Sequence, residues 1–496
     1  MSKRMRNILF AAAAVLVLGG LVLLLTLLPE RKKTPGTTSS GMTSSENKDM
    51  MGYIAVYEFK EEEIQKVEVQ NEYGSFTVTV RDKKLTISGT DGYAQNSSAT
   101  DAFITSCMQF AATKVIADRP EDLTAYGITD KSPSVVLSTT GEVLHLFIGD
   151  NSSNGIYVYS RENEKVYLVE SGWATPFLQK VTALLDLTIA DGVSKDSDGN
   201  EIDPDVRKIS YSGRGLKRPI VLQLNPEYTA QKESFSSASS GFKKDTATAT
   251  QFIFTSPFEA DISDDKFSGK QYDYFALQAY DIYAIRPTAQ QLSRCGLANP
   301  YVTIEVTAAK RSFKIDLGNT LTIDNKEYYY VRCSEKSPIF IAEAEHFSFF
   351  KEDMIHYMSA LVVNVMIDDI KTLQMDYDGK SYRFELSGTG DDLAVRWNGK
   401  KMSTAEFRDL YQLVMLAYCE QSVEQGKYTA EPYLRLTYTY RHREKVDTIE
   451  YVKAGTRQYM IRRNGGDLAL VRSKYVDTLI YGLTEFIAGR DVPSDY

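Results

Sequence analysis

The sequence predicts an α+β protein: three internally repeated modules of antiparallel strand meanders, each with two packing helices, after one N-terminal transmembrane helix. Three observations predict it. An apolar run fills Ile8 to Leu28, a glycine interval recurs with the same length in two places, and apolar residues alternate with polar ones in many short segments.

The apolar run is broken only by Thr26. At about 1.5 Å per residue it spans about 31 Å, which matches a hydrocarbon core of about 30 Å. A cleaved signal peptide has a shorter apolar region and a small-residue cleavage site. Here Pro29-Glu30-Arg31-Lys32-Lys33 follows, and no cysteine for lipidation lies near. The run therefore reads as an uncleaved single-pass anchor. Lys3, Arg4 and Arg6 precede it and three basic residues follow it, so charge alone does not orient it. A first helix after a short basic start is expected to insert with its N-terminus in the cytoplasm, which exports the rest of the chain. Residues 34–52, rich in Ser, Thr and Gly, read as a flexible stalk with a reach of roughly 20–25 Å.

The repeat carries the fold prediction. Leu123-Thr-Ala-Tyr-Gly-Ile128 is matched by Leu292-Ser-Arg-Cys-Gly-Leu297, and each is followed by a proline, Pro133 or Pro300. A strand pair then ends in Ile148-Gly149-Asp150 or Leu317-Gly318-Asn319. Gly127 to Gly149 and Gly296 to Gly318 are both intervals of 22 residues. Alternation puts Leu144, Leu146 and Ile148 on one face, and likewise Phe313, Ile315 and Leu317. Tyrosine-bearing hairpins follow at Ile156 to Tyr159 with Val166 to Val169, and at Tyr328 to Val331 with Ile339 to Ala342. Helices are expected near 173–186 and 345–361. A third, divergent copy fits Pro432 onward: Leu434, Leu436 and Tyr438 alternate, Asn464-Gly465 signals a two-residue hairpin turn, and a helix is expected near 473–488. In front of these halves lie strands such as Phe76–Val80 and Tyr382–Leu386, with helices near 99–116 and 403–420. The resulting division is 1–33 cytoplasmic start and anchor, 34–52 stalk, 53–190 repeat 1, 191–205 acidic linker, 206–365 repeat 2 and 366–496 repeat 3. Residues 228–250 read as a mobile insertion in repeat 2.

Composition excludes some functions. The chain of 496 residues carries a net charge of −9, with 32 tyrosines. The first 33 residues are basic, so the acidity belongs to the exported part, which repels phosphate backbones and argues against nucleic acid as a partner. Cys107, Cys295, Cys333 and Cys419 have neither metal nor redox spacing. They read as small buried apolar side chains, and a Cys295–Cys333 disulfide is left open. His145, His346, His356 and His442 form no ligand set.

The segment Asp196 to Asp205 is the nearest thing to a site. Dense carboxylates in a turn suit calcium, yet its glycine, Gly199, stands at the fourth position rather than the sixth and no glutamate follows at the twelfth. It reads as an acidic linker turn, with a weak calcium site as the alternative. Tyr157 and Tyr159, and Tyr328 and Tyr330, read as cross-strand packing, with a partner surface as the alternative. No catalytic, cofactor-binding or metal-ligating residue is nominated, and no motif supplies a nucleophile.

The pieces LTAYGI, FIGD, IYVYS and KVYLVE resemble the bacterial family called domain of unknown function 4340, over residues 60–186 and more loosely over 206–361. That resemblance implies a repeated, membrane-anchored, extracytoplasmic protein, and an accessory role beside the permease and ATPase of an ABC-type transport assembly. It implies no active-site residues. The expectation is thus a non-enzymatic interaction protein. A surface module recognising cell-wall glycan or peptide is the alternative, and an envelope hydrolase the least favoured reading.

Overall fold

Alternation becomes sheet. In the computed structural model, which describes residues 52–81, 84–237, 249–362 and 365–493, the chain forms three large antiparallel sheets and a few helices, an α+β architecture. The described residues from Ala55 onward belong to one compact unit. The expected anchor, Ile8 to Leu28, and nearly all of the stalk lie outside the described residues. Among the described residues no helix is long and apolar enough to cross a membrane.

The first sheet has eight strands in the spatial order Lys84–Ile87, Gly74–Arg81, Ile64–Asn71, Ser134–Thr139, Val143–Ser152, Gly155–Ser160, Lys165–Val169 and Lys114–Asp118. The second has nine: Ala260–Asp261, Phe252–Ser256, Ile220–Leu224, Val206–Ser212, Val302–Ala308, Ser312–Ile323, Lys326–Cys333, Ile339–Glu343 and Asp281–Ala284. The third also has nine: Lys400–Lys401, Ala394–Trp397, Lys380–Ser387, Ile370–Tyr377, Leu434–Tyr440, Val446–Lys453, Gln458–Arg463, Gly466–Arg472 and Gln421–Ser422. The order is the same in all three, except that the first sheet lacks the outermost strand of one meander. One meander runs outward from the centre to an edge, and a second starts beside the first strand and runs to the other edge. There a strand from the intervening segment closes the sheet.

The recurring glycine interval has a structural cause. The turn Thr124–Tyr126 closes on Gly127 at φ 71°, with Ile128 N–H donating to the Leu123 carbonyl at 3.2 Å. Gly296, at φ 73°, ends the second turn in the same way, with Leu297 N–H on Leu292 O at 2.8 Å. Only glycine adopts this left-handed geometry without strain. Each turn then lies against the strand that carries the second glycine, and Asn319 N–H donates to Cys295 O at 2.7 Å. Asn464 and Gly465 both have positive φ, 49° and 85°, and join two strands of the third sheet as a primed turn should.

Helices form at Ser97–Met108, Thr404–Met415 and Ser473–Ala488. Asn96 and Ser403 cap the first two through bonds to the amides of Ala99 and Glu406. The first ends sooner than its expected 99–116 because Gln109–Ala112 turns into a strand. The segment expected as a helix over 173–186 is helical only over Ser171–Leu178, with a 3₁₀ turn at Val181–Leu184.

Two expectations need correction. Residues 345–361 form three 3₁₀ turns, Ala344–Phe347, Phe349–Lys351 and Met354–His356, rather than an amphipathic helix. Phe349 and Phe350 are adjacent and both buried, and Phe349 also lies 4.8 Å from the Tyr357 ring and 5.2 Å from the Tyr211 ring. One apolar stripe of a helix does not serve neighbours pointing in different directions. The helix expected near 345–361 is therefore absent. The insertion at 228–250 is also not wholly irregular: Pro226–Ser237 is a helix, and residues 238–248 lie outside those described.

The three sheets share no strand, yet one apolar cluster contains Val67, Ile304 and Leu436, one from each. Backbone bonds cross between them, with Ile189 N–H on Leu277 O at 2.7 Å, Ala279 N–H on Leu187 O at 2.8 Å and Val362 N–H on Ala417 O at 3.2 Å.

Candidate functional site: the joint between the second and third sheets

The residues singled out by sequence do not converge. Asp196 spends its carboxylate on its own turn, accepting from the amides of Asp198 and Asn200 at 2.9 Å each and from Asn200 Nδ2 at 3.2 Å. Those bonds, from Asn200 first, hold its carboxyl below the usual range. Asp203 Oδ1 accepts from Asp205 N–H at 2.9 Å and from the Tyr272 hydroxyl at 3.2 Å. The turn is held together by its own side chains. Among the described residues no group of three His, Cys, Asp or Glu side chains is arranged to hold a metal ion.

All four cysteines are free thiols. Cys295 sits in a small cluster with Leu297 and Ile339, while Cys333 belongs to the main core, so the two are not bonded. Burial pushes the Cys419 thiol up to about 12, which makes it a poor nucleophile. His145 is held by Glu162, Nδ1 to Oε1 at 2.8 Å. The tyrosines pair with other rings: Tyr157 with Tyr126 at 5.5 Å, Tyr159 with Phe147 at 6.3 Å, Tyr328 with Tyr280 at 4.9 Å and Tyr330 with Tyr283 at 5.1 Å.

Charge does converge at the joints. Glu259 and Asp261 lie at the short edge strand of the second sheet, and two hairpin turns of the third sheet meet them. Arg463 Nη1 contacts Asp261 Oδ2 at 3.0 Å and the Val362 carbonyl at 3.2 Å. Lys445 Nζ reaches Glu259 at 2.5 Å and Asp447 at 3.1 Å. Asn464 Nδ2 donates to both Glu259 and Asp447, at 3.0 and 2.7 Å, and the Tyr440 hydroxyl donates to Asp447 at 2.5 Å. Arg463 is 9% exposed and Asp447 is 4% exposed. Burial opposes the charge on Asp447, but the Tyr440 and Asn464 bonds and the Arg463 and Lys445 charges outweigh it and hold the carboxyl below its ordinary range. Burial likewise opposes the charge on Lys445, and Glu259 and Asp447 outweigh it to raise the ammonium.

Beside this network lies a cleft of about 820 Å³. Its floor is the outer face of the second sheet, with Gln223, Ile253 and Thr255. One wall is the start of the helix Pro226–Ser237, and the other is the third module's Tyr440–Lys445 segment with Val365 and Asp369. Arg443 closes one end: it is ion-paired with Glu227 and lies 3.5 Å over the Tyr440 ring.

The other joint is built similarly. Lys336 bridges Asp186 and Asp191 at 2.9 and 3.0 Å, Lys180 meets Asp281 at 2.6 Å, and Arg311 donates to the carbonyls of Asp191 and Gly192 while gripping Glu335 with two nitrogens. Sequence reasoning missed both joints, because opposite charges far apart in the chain leave no periodic signal.

No curated protein and no solved structure matches this chain. Residues 86–203, which run from the outer strand of the first sheet into the acidic turn, match the model of the family described as Domain of unknown function (DUF4340), and over 86–186 the resemblance read from the sequence is borne out.

Proposed function

We propose that this chain is a membrane-anchored, extracytoplasmic, non-enzymatic interaction subunit serving an ABC-type transport assembly, and that its three sheets are copies of one repeated module. The observation that carries the proposal is the use made of polar side chains. At both joints, charged groups are paired with groups of the adjacent module, as Arg463 is with Asp261 and Lys336 with Asp186. Paired charges fix register between neighbours and hold a surface in one arrangement, which suits a scaffold. The common strand order and the second glycine turn support the repeat reading. The apolar run Ile8 to Leu28 supports the anchor, and the transport partner rests on the family resemblance.

Protease added to intact cells or spheroplasts tests the topology. Loss of a C-terminal tag from outside, with the protein resistant to alkaline extraction, is the expected result. A protected tag, or release by alkali, overturns the anchored extracytoplasmic reading.

The cleft at the second joint favours a second reading, a surface module that binds cell-wall glycan or peptide. Sedimentation with isolated wall material, in the absence of any transporter component, separates that reading from the first.

A further inference from the structure

Among the described residues, one carboxylate of the cleft between the second and third sheets has no ion-pair partner. Of its ionisable side chains, Glu227 is paired with Arg443 and Glu259 with Lys445. Asp369 is exposed and makes no side-chain ion pair or hydrogen bond among the described residues. Pro226, Ala230, Ala249, Ile253 and Val365 supply an apolar lining around it. We infer that this cleft binds a small amphipathic cation, an apolar body carrying one amine, with the amine at Asp369 and the body against Pro226, Ala230 and Ile253.

Three features carry this. The volume falls within the roughly 300–1,000 Å³ that holds small ligands, and clefts where modules meet are the usual place for them. One wall is a local addition. In the first and third sheets only a few residues separate the second strand from the third in the chain, whereas in the second sheet the helix Pro226–Ser237 intervenes. That helix adds little to the core, with Tyr228 its one buried apolar residue among those described, but its first two turns line the cleft. Elements added to a repeated frame are where new binding surfaces arise. Finally, among the described residues the paired ions at the rim leave one carboxylate to select the ligand's charge, and the half-buried amide of Gln223 and the exposed hydroxyl of Thr255 suit the ligand's polar atoms. The inference does not depend on membrane attachment or on a transporter partner.

The test uses the full-length chain in zwitterionic lipid nanodiscs, with empty discs subtracted, and dansylcadaverine as the amphipathic amine. Dansylamide serves as the neutral analogue and dansylglycine as the acidic one. Saturable binding of the amine is expected, about fivefold tighter than the neutral analogue, the preference a partly solvated ion pair supplies. Asp369→Asn should abolish that preference while leaving the neutral analogue unchanged. Ala230→Trp, at an exposed helix position, should weaken both by about tenfold or more by filling the cleft. Near-ultraviolet circular dichroism checks that each variant is folded. The inference is overturned if the wild type shows no saturable binding. It is equally overturned if the acidic probe binds as well as the amine, or if folded Ala230→Trp binds like the wild type.

Discussion

Gly318 lies so close to Cys295 that a Cβ on it would stand 2.0 Å from the Cys295 carbonyl oxygen. Gly149 has the same relation to Tyr126, at 2.2 Å. The matching interval between glycines is thus a contact: a left-handed turn is laid on a later strand, and neither partner is the flexible end of a side chain that can move aside.

Gly149→Ala and Gly318→Ala should each destabilise the protein by about 1–3 kcal/mol, the usual cost of overpacking where backbone must shift. Urea unfolding checks this. A control at Gly172, where a Cβ meets nothing within 4 Å and φ is not positive, should be neutral or better.

That contact also shows what the sequence exposes. The pattern LTAYGI to FIGD was legible because local turn chemistry and strand alternation coincide in it. Leu144, Leu146 and Ile148 are all buried, as their period demanded, and Asn464-Gly465 turns as its residues dictate. Residues 345–361 were misread because Phe347, Phe349 and Phe350 mimic an apolar helical stripe, whereas their rings are buried in several directions around Tyr211 and Tyr274. The joints were invisible for another reason. Lys445 and Glu259, and Asn464 and Glu259, are separated by 186 and 205 positions, and nothing local to either residue points to the other.

Arg463→Met removes the ion-pair partner of the part-buried Asp261 and one of the two cations on Glu259, which Lys445 still holds. The expected loss is about 3–5 kcal/mol. Pairing it with Asp261→Asn should recover part of the loss, since an uncompensated charge is then removed. A double-mutant cycle by chemical denaturation measures the coupling.

Asp447 has a folded pKa below its ordinary value, so its contribution is complete above about pH 4 and lost as pH falls through the lowered value. Lys445 is raised, so its contribution is complete below about pH 10 and lost as pH rises further. A thermal midpoint that is flat between these limits and falls on both sides is expected. In Asp447→Asn the acid limb should become shallower, and the alkaline limb should remain.

Lys336→Met should loosen the joint between the first and second sheets by about 1 kcal/mol, a modest figure because Asp191 is largely solvated. Its effect should be less than additive with Asp186→Asn. Limited proteolysis should then cut the 187–205 segment sooner than in the wild type.

Whether this chain serves a transport assembly, as proposed, is decided by co-purification. Full-length protein with a C-terminal tag would be solubilised gently from its native membrane, beside a control carrying only residues 1–52. A permease and an ATPase should be recovered with the full chain above the control. Recovery of the folded protein alone, with neither component enriched, would contradict the proposal.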